Sequence, residues 1–196
     1  MSHDTELVIA TSIQESIRVK QALLGDQPVL GLIAAVAGEF VLALRHGHKI
    51  LLFGNGGSAA DAQHLAAEFV GRFQMERTPL AALALTTNTS ALTGIGNDYG
   101  YENVFARQVE ALGTEGDVAV GISTSGKSPN VLKALATAKA KGLVTVALTG
   151  KNGSQLLEVS RYCICVPTDT TPRIQESHIL IGHILSQIAE MELFDK

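Results

Sequence analysis

The sequence predicts an α/β fold, a three-layer αβα sandwich around a mainly parallel five-stranded sheet. Three observations carry that prediction. Short apolar runs recur from Lys49 to Pro167 with the length of buried strands. Helical patterns separate most of them, the spacing of right-handed βαβ units. Turns rich in glycine and serine follow the runs, at the strand ends where open α/β sheets bind ligands.

Taken in order, the chain opens with two helical patterns, about Thr5 to Leu24 and Pro28 to about His46, with Pro28 suited to a first helical turn. They carry no site chemistry, and their work is packing on the sheet or against another subunit. The expected strands are Lys49–Gly54, Ala81–Thr86, Asp117–Ser123, Leu143–Gly150 and Tyr162–Pro167. The expected helices between them are Ser58–Gly71, Val104–Leu112, Pro129–Lys141 and a short one near Gln155–Val159, and a long helix from about Pro172 to Leu193 closes the chain. No repeat or linker divides this pattern, so one domain spans residues 1–196, with 1–47 as an N-terminal helical extension.

Composition narrows the function. Apolar residues make up 46% of the 196, charged residues only 17%, and the net charge is −4 without a basic run. A nucleic-acid binder needs clustered lysine and arginine, so nucleic acid is excluded as the expected partner. The first twenty residues are punctuated by polar side chains, and no stretch approaches ~18 uninterrupted apolar residues; the expectation is a soluble, cytoplasmic protein with no membrane partner. Cys163 and Cys165 lie two apart on one expected strand, poorly placed to bridge and without the second pair of a structural zinc site. They read as reduced packing residues.

The turn "FGNGGS" ends a strand and leads into a helix whose expected N-cap is Ser58. Glycines there let backbone approach a ligand, and a helix start favours an anion; the same turn is also ordinary α/β construction. A second turn, "ISTSGKS", sets Ser123, Thr124, Ser125 and Ser128 around one glycine. Four hydroxyls and backbone donors can hold phosphate oxygens without arginine. Neither the nucleotide P-loop spacing nor G-x-G-x-x-G is present, which favours a small phosphorylated metabolite over a nucleotide.

On the helix after the first turn, Asp61, His64, Glu68 and Arg72 follow spacings of three, four and four and so share one stripe. That stripe is either a solvated face or part of a site, since imidazole and carboxylate four residues apart can share one divalent ion. The last helix adds Gln175, Glu176, His178 and His183.

These stretches, "GNGGSAADAQHLAAEFVGRF", "GNDYGYENVFARQV", "GDVAVGISTSGKSPNVLKAL" and "RIQESHILIGHIL", together resemble the sugar-isomerase (SIS) family, and within it the phosphoheptose isomerases. The resemblance runs over nearly the whole chain. It implies a flavodoxin-like sheet and an aldose–ketose isomerase that converts sedoheptulose 7-phosphate into D-glycero-D-manno-heptose 7-phosphate through a cis-enediol, the first step of heptose supply for lipopolysaccharide core or capsule. It further implies one Zn²⁺ per active site and a homotetramer with sites between subunits.

Carried over by residue, the resemblance assigns substrate contact to Asn55, Gly56, Gly57, Ser58, Asn97 and Asp98, and the phosphate end to Ser123, Thr124, Ser125 and Ser128. His64, Glu68, Gln175 and His183 match the zinc positions, Glu68 and Gln175 also face substrate, and Glu68 and His183 are the catalytic pair. The chain departs from some members at Pro172, where they carry aspartate.

Gln175 and His183 stand eight residues apart, about 12 Å along a straight helix and roughly 80° around it, too far to share an ion. Either Gln175 lies in a distorted first turn or the site draws on two chains. The implied tetramer favours the second, with Glu68 and His183 supplied by different subunits. Two other functions stay open: a non-catalytic SIS regulator binding a replication-initiator protein, which would not need Glu68, and an isomerase of another phosphosugar.

Overall fold

The computed structural model describes residues 3–151 and 153–194. Five strands, β1 Ile50–Gly54, β2 Ala82–Ala84, β3 Val118–Ser123, β4 Val144–Thr149 and β5 Tyr162–Cys165, form one all-parallel sheet in the order β2-β1-β3-β4-β5. This is the flavodoxin-like order, and the chain reverses its direction of winding between β1 and β3. Register pairs Leu52 with Val120 and Val120 with Val146.

The helices are α1 His3–Gly25, α2 Gln27–Arg45, α3 Gly57–Val70, α4 Thr89–Tyr99, α5 Ala106–Leu112, α6 Pro129–Ala140, α7 Ser154–Val159 and α8 Thr171–Phe194, with a 3-10 turn at Tyr101–Asn103. Side chains alternate across a strand, so every position of a two-faced sheet must be apolar. Ile50 and Leu52 of β1 accordingly enter a core with Phe40, Phe69, Val120, Val146, Ile181 and Leu185, where α2, α3 and α8 pack. Leu51 and Phe53 enter the opposite core with Phe105, Val109, Val131, Leu135 and Leu156, under α5, α6 and α7. Burying each such side chain is worth about 1.5–3 kcal/mol, so the sheet's two faces supply the main driving force.

Two local expectations need correction. Ser58 is not an N-cap: α3 starts at Gly57, its cap is Gly56 at φ +56°, and Ser58 is buried beneath the end of β1. A helix absent from the sequence reading, α4, occupies Thr89–Tyr99; Asn88 caps it by accepting from the Ala91 N–H at 3.0 Å. Helix α2 is 19 residues long with mean hydropathy 1.8, long and apolar enough to cross a membrane by length and composition, although Glu39 interrupts its apolar run. Here Ile33, Val36, Phe40 and Val41 of that helix are buried in the core beside the sheet. Pro28 does fall in its first turn, capped by Asp26 accepting from the Val29 N–H at 3.1 Å.

Cys163 and Cys165 are free thiols on β5, their sulfurs 3.9 Å apart on one side of the strand.

Candidate active site

The switch point between β1 and β3 places two turns side by side. After β1, Gly56 adopts a left-handed φ of +56° that only glycine takes without strain, and α3 begins at once. Gly57 is bare for a different reason: a Cβ there would lie 2.5 Å from the Gln175 Nε2. The Gln175 amide therefore covers the start of α3.

After β3, Gly126 turns the chain at φ +68° and gathers the serines. Ser123 Oγ lies 2.8 Å from Ser128 Oγ and 3.5 Å from Ser125 Oγ, and the Lys127 N–H donates to Ser125 Oγ at 3.3 Å. Ser128 occupies the N-cap position of α6 but does not cap it with its side chain. Its hydroxyl is committed to the cluster instead. Thr124, Ser125 and Lys127 line a hollow of about 250 Å³ with Asp169, Thr171 and Ile174.

Asn55 lines a second hollow, of about 340 Å³, with Tyr101, Glu102, Ser128, Pro129 and Asn130. Its amide is fixed by a reciprocal pair: Asn130 Nδ2 donates to Asn55 Oδ1 at 2.8 Å, and Asn55 Nδ2 donates to Asn130 Oδ1 at 2.9 Å. Buried Asn130 also accepts from the Val131 N–H at 3.0 Å, so the amide orientation of both residues is set by backbone. Asn130 escaped the sequence reading; its position two residues beyond Ser128 was the available signal.

The third group is built by two helices. On α3, His64 Nε2 lies 2.9 Å from Glu68 Oε1, as their spacing of four residues predicts. From α8, His183 Nε2 reaches His64 Nε2 at 3.1 Å. One potential ligand atom from each of the three lies within 4.8 Å of the others. Two ring nitrogens and a carboxylate oxygen so close together are a donor set suited to Zn²⁺. The helices approach closely because α8 carries Gly182 against Leu65, where a Cβ would lie 2.5 Å from Leu65 Cδ1.

This geometry corrects the expected division between chains, because Glu68 and His183 meet within one chain. Gln175 is the member held apart, at the start of α3, as the helical distance from His183 requires. Asn97 and Asp98 also lie away from the cluster: Asn97 Nδ2 donates to Asp98 Oδ1 at 2.8 Å, and Asp98 lines a separate hollow with Tyr99 and Arg107. Of the α3 stripe, Arg72 turns to Glu76 at 3.7 Å on the surface. Asp61 has one buried carboxylate oxygen without a hydrogen-bond partner; burial pushes its carboxyl up, and nearby His64 offsets part of that rise. His178 is fully buried with Nε2 3.1 Å from the Thr149 carbonyl and is a core residue.

Three further residues frame the cluster and were missed. Phe73 stacks on the His183 ring, centroids 5.4 Å apart and planes at 29°. Arg77 and Glu190 form a buried ion pair of 2.9 Å behind it. Glu190 follows His183 by seven residues and so falls on the same stripe of α8, a signal present in the sequence.

Comparison with known proteins gives concordant results. The family model described as "SIS domain" matches residues 30–150. The phosphoheptose isomerase of Aneurinibacillus thermoaerophilus is 55% identical over 186 residues, covering 95% of this chain and 94% of that protein. Phosphoheptose isomerase 2 of Campylobacter jejuni is 56% identical over 182 residues, covering 93% and 90%. Among solved structures, a phosphoheptose isomerase from Neisseria gonorrhoeae superposes with a TM-score of 0.89 at 44% identity, covering 95% of this chain and 98% of that one.

Proposed function

Since this chain belongs to the SIS-domain family, and within it to the phosphoheptose isomerases, we propose that it interconverts sedoheptulose 7-phosphate and D-glycero-D-manno-heptose 7-phosphate at the His64–Glu68–His183 cluster. The observation that carries this reading is the cluster itself: a carboxylate and two imidazoles of the same chain, joined through His64 and with their ligand atoms within 4.8 Å of one another.

The reaction moves a carbonyl from C2 to C1 of the sugar. Glu68 removes a C1 proton, the resulting cis-enediol is planar and carries a hydroxyl on both C1 and C2, and the proton returns to C2. His183 takes the proton from the C1 oxygen and delivers one to the C2 oxygen, so the balance of protons closes without a redox partner. His64 holds the Glu68 carboxylate from four residues away and keeps it aimed along α3. His64, Glu68 and His183 would hold Zn²⁺, with Gln175 as a fourth ligand; such an ion polarises the carbonyl of the bound sugar. The hydroxyl turn Ser123–Ser128 grips the phosphate, and Asn55 with Gly56 and Gly57 meets the sugar hydroxyls between the two ends.

Gln175 lies apart from the other three in its own chain, which supports a homotetramer whose sites are completed by Gln175 of a neighbouring copy. An exposed apolar stripe on α1, Ile9, Ile13 and Ile17, supports such an assembly. We place the enzyme in the cytoplasm, supplying heptose for lipopolysaccharide core or capsule.

The test is direct. Zinc-loaded protein in deuterated water, given sedoheptulose 7-phosphate and shorter ketose phosphates, should form the heptose aldose alone by NMR, with deuterium entering at the migrating position. Glu68→Gln should lose both turnover and solvent exchange, by about 100-fold or more. Substantial turnover in that variant would remove Glu68 from its role, and absence of turnover in the wild type, with tight binding to a replication protein instead, would favour the regulatory alternative.

A further inference from the structure

His183 projects from α8 into a half-exposed position, and an imidazole there has rotameric freedom unless something holds it. Its two ring contacts are His64, centroids 5.0 Å apart, and Phe73, which lies nearly parallel at 5.4 Å. Phe73 belongs to the connection 71–81 between α3 and β2, a loop outside the regular elements, where rigidity has to come from its contacts.

Rigidity comes from a buried charge. Glu190 Oε1 accepts the Phe73 N–H at 2.9 Å, and Oε2 accepts the N–H groups of Gln74 at 2.8 Å and Met75 at 3.0 Å. Arg77 Nε donates to Glu190 Oε1 at 2.9 Å, and both side chains are 2% exposed. The other guanidinium nitrogens reach back to α3: Nη2 donates to the Glu68 carbonyl at 2.7 Å, and Nη1 to those of Phe69 at 2.9 Å and Gly71 at 3.2 Å. One ion pair thus ties three things together: the backbone of Glu68, the loop carrying Phe73, and α8 two turns beyond His183. A buried ion pair is weak evidence for stability, because desolvation consumes most of its attraction. Its geometric effect is the informative part.

We infer that Phe73, held in place by the Arg77–Glu190 pair, is a positioning residue for the isomerase: its ring fixes the His183 imidazole in the orientation that meets His64 and Glu68. The inference rests on the isomerase reading proposed above. Phe73 touches neither the hydroxyl turn nor the Asn55 hollow, so it should act on the chemical step and on metal retention but not on sugar binding.

The experiment uses the assembled protein with Phe73→Leu, the unbranched and flexible Phe73→Met and the ring-preserving Phe73→Tyr. Measured are kcat and KM separately on sedoheptulose 7-phosphate, zinc affinity by chelator competition, and the thermal midpoint. Phe73→Leu and Phe73→Met should each lower kcat and zinc affinity by about tenfold, the usual scale for groups that orient a ligand, with KM within about twofold. Phe73→Tyr should recover most of both. A lowered thermal midpoint with kcat and zinc affinity unchanged would make Phe73 merely structural and overturn the inference; so would losses in Phe73→Tyr equal to those in Phe73→Leu. Zinc affinity is read without substrate, so a wild type that fails to isomerise would sink the functional reading while the positioning test still gives its answer.

Discussion

At the scale of single residues, His178 shows how a group outside the chemistry still controls behaviour. Burial holds its imidazole down to about 4, and the hydrogen bond to the Thr149 carbonyl recovers only part of the loss. The folded value lies below the ordinary histidine value of about 6.5, so the unfolded chain binds more protons between the two. Stability from this site is complete above about pH 6.5 and is lost as pH falls toward 4. Urea midpoints measured from pH 7.5 to 4.5 should fall accordingly, and a non-titrating His178→Gln variant should show a flatter decline over that window. An equal slope in both proteins would show that His178 is not the group responsible. Glu190 is shifted in the same direction for a different reason: burial pushes its carboxyl up, but the N–H groups of Gln74, Phe73 and Met75 and the Arg77 guanidinium outweigh that and hold it below the ordinary range. Its contribution survives to more acidic pH than that of His178.

At the scale of elements, the crossing of α3 and α8 sets the distance between His64 and His183. Gly182 permits that crossing by leaving room for Leu65. Gly182→Ala should push the helices apart, cost about 1–3 kcal/mol as overpacking does, and weaken zinc binding together with stability. Denaturant unfolding and chelator competition check this; an unchanged unfolding midpoint would mean that Leu65 simply rotates away.

The same elements show what the sequence could disclose. All five strands were legible because each is a short, mainly apolar run, and the three central ones are buried almost throughout, as a sheet covered on both faces requires. The edge strand β2 proved shorter than expected, Ala82–Ala84 against Ala81–Thr86, since an edge has one neighbour to pair with. Helix α4 was missed because none of its residues is fully buried and its apolar stripe is short, little more than the partly buried Leu92 and Ile95. In the site, the serine turn and the His64–Glu68 pair were legible because their members are close in sequence. Arg77 and Glu190 stand 113 residues apart, and their partnership exists only after α8 docks on α3.

For the whole molecule, the position of Gln175 bears directly on the assembly proposed above. His64, Glu68 and His183 travel together, while Gln175 travels apart. In a tetramer completed by a neighbour's Gln175, mixing inactive Glu68→Gln with inactive Gln175→Ala should restore activity. One class of site in the mixed assembly then carries no substitution. Mixing Glu68→Gln with His183→Asn should restore nothing, because every site keeps one defect. Recovery in the second mixture, or none in the first after verified subunit exchange, would contradict this division.

The sheet order has a last consequence, for behaviour in a crowded solution. Its two edges are its shortest strands, β2 with three residues and β5 with four. Pro79 stands three residues before the first and Pro167 two residues after the second, so neither edge can be lengthened far without meeting a residue that has no N–H to donate. Another polypeptide laid along either margin finds almost no ladder to extend. Association through the sheet margins is thereby disfavoured, which leaves the helical faces as the surfaces open to contact between copies.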